Sequence, residues 1–399
     1  MLDKHITKPK KRTSHQVDLV SDVGFAKFLN LLHSASPGGV ISLGVGEPDF
    51  TTPWHICEAA LGALKEGLTK YTPSNGFVEL RQAIAQDLES RYGVGYDPET
   101  EIITTVGSSQ ALDLALRAIL DPGDEVIIPD PSYICYPSCI TMAHGIPAPV
   151  PASFEDEFKL KAAQVEARIT PRTKVVLFGY PANPTGTEMS REDLLEIASV
   201  VEKHDLLVIS DEIYGRLVYD VEHTCFSSLP GMKARTILLA GFSKSYAMTG
   251  WRLGYAAGPA DIISAIGKIH QHTMLSPPSM AQMAAIEALK NGEADVMRMV
   301  EEYDQRRKII THGLNKIGLR CHEPKGAFYT FPSIRSTGMT SEGFTEKLLL
   351  EEKVVVMPGH LFGQRGEGFV RCSYATAISD IKEALKRMTR FVERHSERT

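Results

Sequence analysis

Cysteine is scarce, with six among 399 residues, and Cys57, Cys135, Cys139, Cys225, Cys321 and Cys372 form no CxxC pair. That density and spacing exclude a disulfide-stapled scaffold and leave reduced packing residues. The 13 histidines make no HExxH, and the H-x-H at His270 and His272 has no cysteine or histidine partner at zinc-finger spacing, so no metal is expected. No apolar run approaches the roughly 18 residues of a spanning helix, and no signal-like apolar stretch follows the basic start, so the expectation is a cytoplasmic protein with no membrane partner. Charge of one sign is lacking too: the formal net charge is −6, with acidic and basic residues interspersed. A polyanion such as nucleic acid is therefore not an expected partner. The one basic run, Lys8, Lys10, Lys11 and Arg12, reads as a solvated tail. Internal repeats and low-complexity linkers are also missing.

What is present is alternation. From about residue 101, the short β-branched runs EIITTV, EVIIP, KVVLF, LLVIS, TILLA and LGYAA are separated by longer amphipathic stretches. This predicts an α/β fold built on a mostly parallel, doubly wound sheet. In SREDLLEIASVVEKHD the apolar residues Leu194, Leu195, Ile197, Ala198 and Val201 recur at helical spacing, and Ser190 with Asp193 three residues later forms a capping signal. Beyond Gly292 the pattern becomes a long charged helix followed by AFYTFP, VVVMP and FVRCSYA, which predicts a smaller α+β domain. The expected organisation is an N-terminal segment, 1–50, packing on the small domain, a large domain, 51–291, and the small C-terminal domain, 292–399.

The candidate chemistry falls at strand ends. In AGFSKSYAMTGWRLGYAAG, Ser243 and Lys244 follow TILLA, and Arg252 comes eight residues after the lysine. Ligands in open α/β sheets sit outside the carboxyl ends of strands, so Lys244 is a candidate nucleophile, provided burial and nearby cations keep its amine neutral. Arg252 suits a phosphate. Taken alone, a lysine after a strand is more simply a solvated loop residue. DEIYGRLVY puts Asp211 at the end of LLVIS with Tyr214 three residues on; a carboxylate there can keep a pyridine nitrogen protonated and turn the ring into an electron sink. GYPANPTGT holds Asn183 between two prolines, either as an amide donor to a ring hydroxyl or as an ordinary Asn-Pro turn. TTVGSSQALDLALRAIL runs through Gly107, Ser108 and Ser109 into a helix, an anion cradle or merely a cap. There is no P-loop, and GVGEPD lacks the third glycine of a dinucleotide fingerprint.

Seven motifs in order, GVGEPDF, YTPSNGFVELR, PDPSY, ANPTG, DEIY, SKSYAMTGWRLG and FVRCSYA, span roughly residues 40 to 390. Together they resemble the signature set of the class I and II aminotransferases, the fold type I pyridoxal-phosphate enzymes. The resemblance implies a cofactor, pyridoxal 5'-phosphate, bound to Lys244 as a Schiff base, with Asp211 at the ring nitrogen and Asn183 and Tyr214 at the ring 3-oxygen. It places Tyr133 on the ring face, where plain core packing is the alternative, and assigns the phosphate to Ser108, Ser109, Ser243 and Arg252. Tyr71 of YTPSNG would reach the phosphate of a neighbouring subunit, implying a homodimer with shared sites. Arg371 would pair with the substrate carboxylate, helped by Asn183 and the Gly46 backbone; an exposed surface arginine is the alternative there.

The activity so implied is transfer of an amino group from an L-amino acid to a 2-oxo acid, 2-oxoglutarate by family habit, in two ping-pong half-reactions. A carbon–sulfur β-lyase of the same fold is the second reading. Some aspartate-active relatives carry a basic residue where this chain has Ser109, so the donor side chain is left open between aspartate, aromatic and aliphatic.

Overall fold

The computed structural model describes residues 12–20 and 39–395. Lys8, Lys10 and Lys11, and most of the segment expected at 1–50, lie outside the described residues, while Arg12 is exposed. Among the described residues no helix is long and apolar enough to cross a membrane.

Strand β1 (Ile41–Ser42) is short and belongs to the smaller part of the molecule. The β-branched runs build the larger part: β2 (Ile102–Thr105), β3 (Glu125–Asp130), β4 (Ile146–Pro151), β5 (Thr173–Phe178), β6 (Leu207–Asp211), β7 (Thr236–Gly241) and β8 (Gly254–Ala257). They form one sheet in the order β2-β8-β7-β6-β5-β3-β4. Every pair from β7 to β4 is parallel, and only β8 runs against its neighbours β7 and β2. Alternate residues feed two cores. Val175, Leu177, Ile209 and Ile237 pack with Leu112 and Leu116 of the Ser108–Ile119 helix, whereas Val176, Phe178 and Val208 pack with Leu194, Ile197 and Val201 of the Arg191–Lys203 helix. Helices thus cover both faces, which a parallel sheet requires. Each such aliphatic side chain contributes roughly 1.5–3 kcal/mol by leaving water.

The predicted crossover helix is present, with a capping box between Ser190 and Asp193. Leu195 departs from the expected buried face; it is 39% exposed, and Val200 takes the buried position instead. Strand β4 was not among the expected strands because IPAPVP contains three prolines. It survives as a strand since it lies at the sheet edge and pairs on one side only, with β3, where missing N–H groups cost little.

The smaller α+β part contains β9 (Tyr329–Thr330), β10 (Val354–Val355), β11 (Met357–Pro358) and β12 (Val370–Ser373). Strands β11, β12 and β9 pair antiparallel, and β1 pairs in parallel with β10. Leu43 extends this join: its N–H donates to the Val355 carbonyl at 2.8 Å, and its own carbonyl accepts from Ser373 N at 2.7 Å. Tyr303, Leu314, Phe344, Leu348, Met388 and Phe391, from three helices, close the core behind.

Candidate active site

The parallel strands all present their carboxyl ends at one edge of the sheet. Asp211 ends β6, Ser243 and Lys244 follow β7, Tyr133 follows β3, Asn183 follows β5, and Ser108 begins the helix after β2. Because β8 is reversed, the residues before it return to that edge, which brings Arg252 there. A cavity of about 480 Å³ opens at this edge, and Gly46, Ser108, Ser109, Tyr133, Asn183, Asp211, Tyr214, Ser243, Lys244, Arg252 and Arg371 all line it. Tyr71 does not line the cavity of its own chain; its side chain is 86% exposed. A wider, shallower groove along Phe50, Trp54, Trp251 and Met280 contains none of the candidate residues.

Lys244 is the lysine of the cavity, and its Nζ donates to the Gly46 carbonyl at 2.7 Å. Burial lowers its pKa from the ordinary 10.5 to about 8; Glu47 opposes this, while Arg371 and Arg252 push the same way as burial. The amine is therefore neutral for a substantial part of the time near pH 8, which a nucleophile requires. Asp211 is shifted oppositely. Burial raises its carboxyl to about 6, against hydrogen bonds from Tyr136 Oη at 3.0 Å and Ile213 N at 3.3 Å. A cation beside Asp211 would recover the cost of that poorly solvated charge.

Arg371, on β12, is buried at 6% exposure and donates from Nη1 to Asn183 Oδ1 at 2.8 Å and from Nη2 to the Gly44 carbonyl at 2.7 Å. Its Nε–H has no hydrogen-bond partner, and among the described residues no carboxylate pairs with it. The expected alternative of a surface arginine is thereby excluded. The guanidinium lies over the rings of Tyr329 at 4.4 Å and Phe362 at 5.0 Å, which hold its plane. Because Asn183 Oδ1 accepts from Arg371, the Asn183 amide N–H groups remain to donate into the cavity.

Ser108 and Ser109 of the Gly107–Ser108–Ser109 turn line the cavity together with Arg252. Gly107 has φ +79°, and a Cβ there would come within 2.7 Å of the Arg252 guanidinium. Behind it, the Ser108–Ile119 helix directs its N-terminal N–H groups at the cavity.

Two aromatic residues of the site carry no motif of their own. Tyr329 shares a 2.7 Å hydrogen bond with Tyr214 through their hydroxyls, and Tyr136 holds Asp211. Tyr329 has no signal beyond the strand-like piece AFYTFP, and Tyr136 lies just past PDPSY, so neither was expected in the site. Among the described residues there is no group of three or more His, Cys, Asp or Glu side chains arranged to hold a metal ion.

The profile of the family "Aminotransferase class I and II" matches residues 38–388. The Bacillus subtilis (strain 168) protein YugH is 51% identical over 385 residues, covering 96% of this chain and 99% of that protein. An aspartate aminotransferase of Pyrococcus abyssi is 45% identical and covers 94% of this chain and 97% of its own. Among solved structures, an aromatic aminotransferase of Pyrococcus horikoshii superposes with a TM-score of 0.88 at 46% identity, covering 92% of this chain and 99% of that one. The chain therefore belongs to the class I and II aminotransferase family and is an enzyme of amino-group transfer.

Proposed function

We propose that this enzyme is a pyridoxal-phosphate-dependent aminotransferase acting on an L-amino acid and a 2-oxo acid, with Lys244 as the residue that carries the cofactor. The observation that carries this reading is the meeting in one cavity of a half-buried amine of lowered pKa, a half-buried carboxylate and a buried arginine without a counter-anion. The donor set fits the group: Ser108, Ser109, Ser243 and Arg252 around a helix N-terminus for the phosphate, Asp211 for the ring nitrogen, Asn183 and Tyr214 for the ring oxygen, and Tyr133 for the ring face. When bound, pyridoxal phosphate supplies a protonated pyridine ring that accepts the electron pair left by the departing α-proton. The chain does the rest. Lys244 would take the α-proton on Nζ and return it; Asp211 would keep the ring nitrogen protonated; Arg371, with Asn183 and the Gly46 backbone, would fix the α-carboxylate. Nothing in the cavity favours the β-lyase reading. The names of the relatives, aspartate in one case and aromatic in another, leave the donor side chain open. The division at about residues 50 and 291 is part of the same proposal, with the cavity between the large sheet and the C-terminal strands.

Arg371→Leu tests the substrate end of this reading. Loss of the guanidinium from a buried ion pair should cost about 3 kcal/mol, on the order of a hundredfold in kcat/KM. The loss should be alike for amino and oxo acids, because both present the same carboxylate, and stopped-flow measurement of each half-reaction separately reads it. Unchanged values for every substrate would show that another residue binds the carboxylate.

The exposed ring of Tyr71, together with Trp54 at 66% exposure, supports a homodimer in which Tyr71 serves the phosphate of the other chain. Lys244→Ala chains mixed with Tyr71→Ala chains then regain one intact site per mixed dimer, read as recovered turnover and cofactor affinity. Subunit exchange demonstrated by mass with no such gain would refute the shared site.

A further inference from the structure

Behind the cavity, three ionisable side chains meet that the proposed chemistry does not use. His223 Nδ1 lies 2.8 Å from Glu188 Oε1, and Nε2 lies 2.5 Å from Glu212 Oε2. All three side chains are at most 6% exposed. A lone pair cannot face an anionic oxygen at these distances, so each contact holds a proton. The three groups thus share two protons and carry one net negative charge, as an imidazolium between two carboxylates. Burial works against that cation, but Glu212 and Glu188 outweigh it and raise the imidazole to about 10. The edge of the Tyr92 ring seals one side, 5.7 Å between centroids.

The placement of the two carboxylates gives the cluster its meaning. Glu212 follows Asp211 directly; its Oε1 accepts from Ser210 Oγ at 2.7 Å and Phe226 N at 3.3 Å, and its carbonyl accepts from Gly215 N at 2.9 Å, closing the turn that carries Tyr214. Glu188 follows the loop of Asn183, which is closed by Ala182 N to Thr187 O and Gly186 N to Ala182 O, both 2.8 Å. The two segments that present Asp211, Tyr214 and Asn183 to the cavity are therefore joined from behind through one ring. We propose that His223 is a positioning residue, a clamp between Glu188 and Glu212 that fixes the Asn183 loop against the strand end bearing Asp211 and Tyr214. Its purpose rests on the cofactor roles proposed above; the clamp itself does not.

The test compares wild type with His223→Gln, which cannot bridge two carboxylates with two N–H groups along the imidazole axis. In the cofactor-free chains, amide hydrogen exchange should accelerate at least about tenfold in both 182–187 and 211–215, while β4, remote from the cluster, is unaltered. In the loaded enzymes, His223→Gln should weaken pyridoxal phosphate at least about tenfold and lower kcat more than it raises KM. Glu188→Gln keeps an oxygen for the Nδ1 proton and should stay within about threefold of wild type in affinity and kcat. If His223→Gln does not fold, Glu188→Ala breaks the same clamp from its other end, with faster exchange expected in 182–187. A folded variant with wild-type exchange in the segments it should loosen overturns the clamp. A wild type that takes up no pyridoxal phosphate instead overturns the function proposed above, and the exchange measurement still decides the clamp.

Discussion

Lys244→Ala is expected to abolish turnover, with a loss of at least about 10⁵-fold in kcat, because the proposed function makes the same amine both the cofactor anchor and the base that moves the α-proton. No neighbouring group can replace it, since Lys244 is the one lysine lining the cavity among the described residues. Absorbance of the purified variant with added pyridoxal phosphate, together with single-turnover rates, checks this; a rate within tenfold of wild type would contradict it. The physical cause is legible in the cofactor-free protein as well. A lysine held at about 8 instead of 10.5 binds fewer protons folded than unfolded, so it destabilises the fold fully below pH 8, and the penalty fades as pH rises from 8 to 10.5. Lys244→Met should therefore be more stable than wild type at pH 7, by about 3 kcal/mol before packing differences, with the gap closing by pH 10.5. Parallel denaturant titrations of the two apoproteins at both pH values measure it.

Asp211→Asn carries the second large effect. The substitution keeps the shape and an oxygen for the Tyr136 hydroxyl, 3.0 Å away, but removes the charge that would hold the ring nitrogen protonated. Wild-type Asp211 titrates at about 6, so at pH 8 it is the anion and the comparison isolates that charge. Proton abstraction should slow by three to four orders of magnitude, roughly 4–5 kcal/mol of transition-state stabilisation, with the fold intact. The deuterium isotope effect on an α-deuterated donor should grow as this step becomes limiting. A normal abstraction rate in a variant that still binds the cofactor would remove Asp211 from the role of electron-sink partner.

The fold was legible where hydrophobic period and burial coincide. Runs such as KVVLF and TILLA are apolar on both faces, as strands covered by helices on each side must be, and they are strands β5 and β7. Strand β4 was hidden because its prolines argue against a strand until its edge position is known. Leu195 shows the limit of counting apolar residues along a helix: the buried stripe is rotated from the expected one, leaving Leu195 outside and Val200 inside it. In the site, residues embedded in ordered motifs converge on one cavity, whereas Tyr329 and Tyr136 act by touching Tyr214 and Asp211, a relation that emerges only when distant segments meet. The same holds for Glu188 and Glu212, 35 and 11 positions before His223, a spacing with no local period. Tyr71 is the converse case, singled out by its motif yet exposed and absent from the lining of its own chain's cavity.

On the function proposed above, Lys244 holds pyridoxal phosphate covalently in the resting enzyme. Reduction of the purified wild type with borohydride, followed by proteolysis and mass mapping, addresses it most directly. The expected result is loss of the absorption band near the visible edge and one reduced pyridoxyl adduct per chain, on the peptide containing Ser243 and Lys244. An adduct on any other lysine, or a borohydride-insensitive enzyme with full aminotransferase activity, would contradict it.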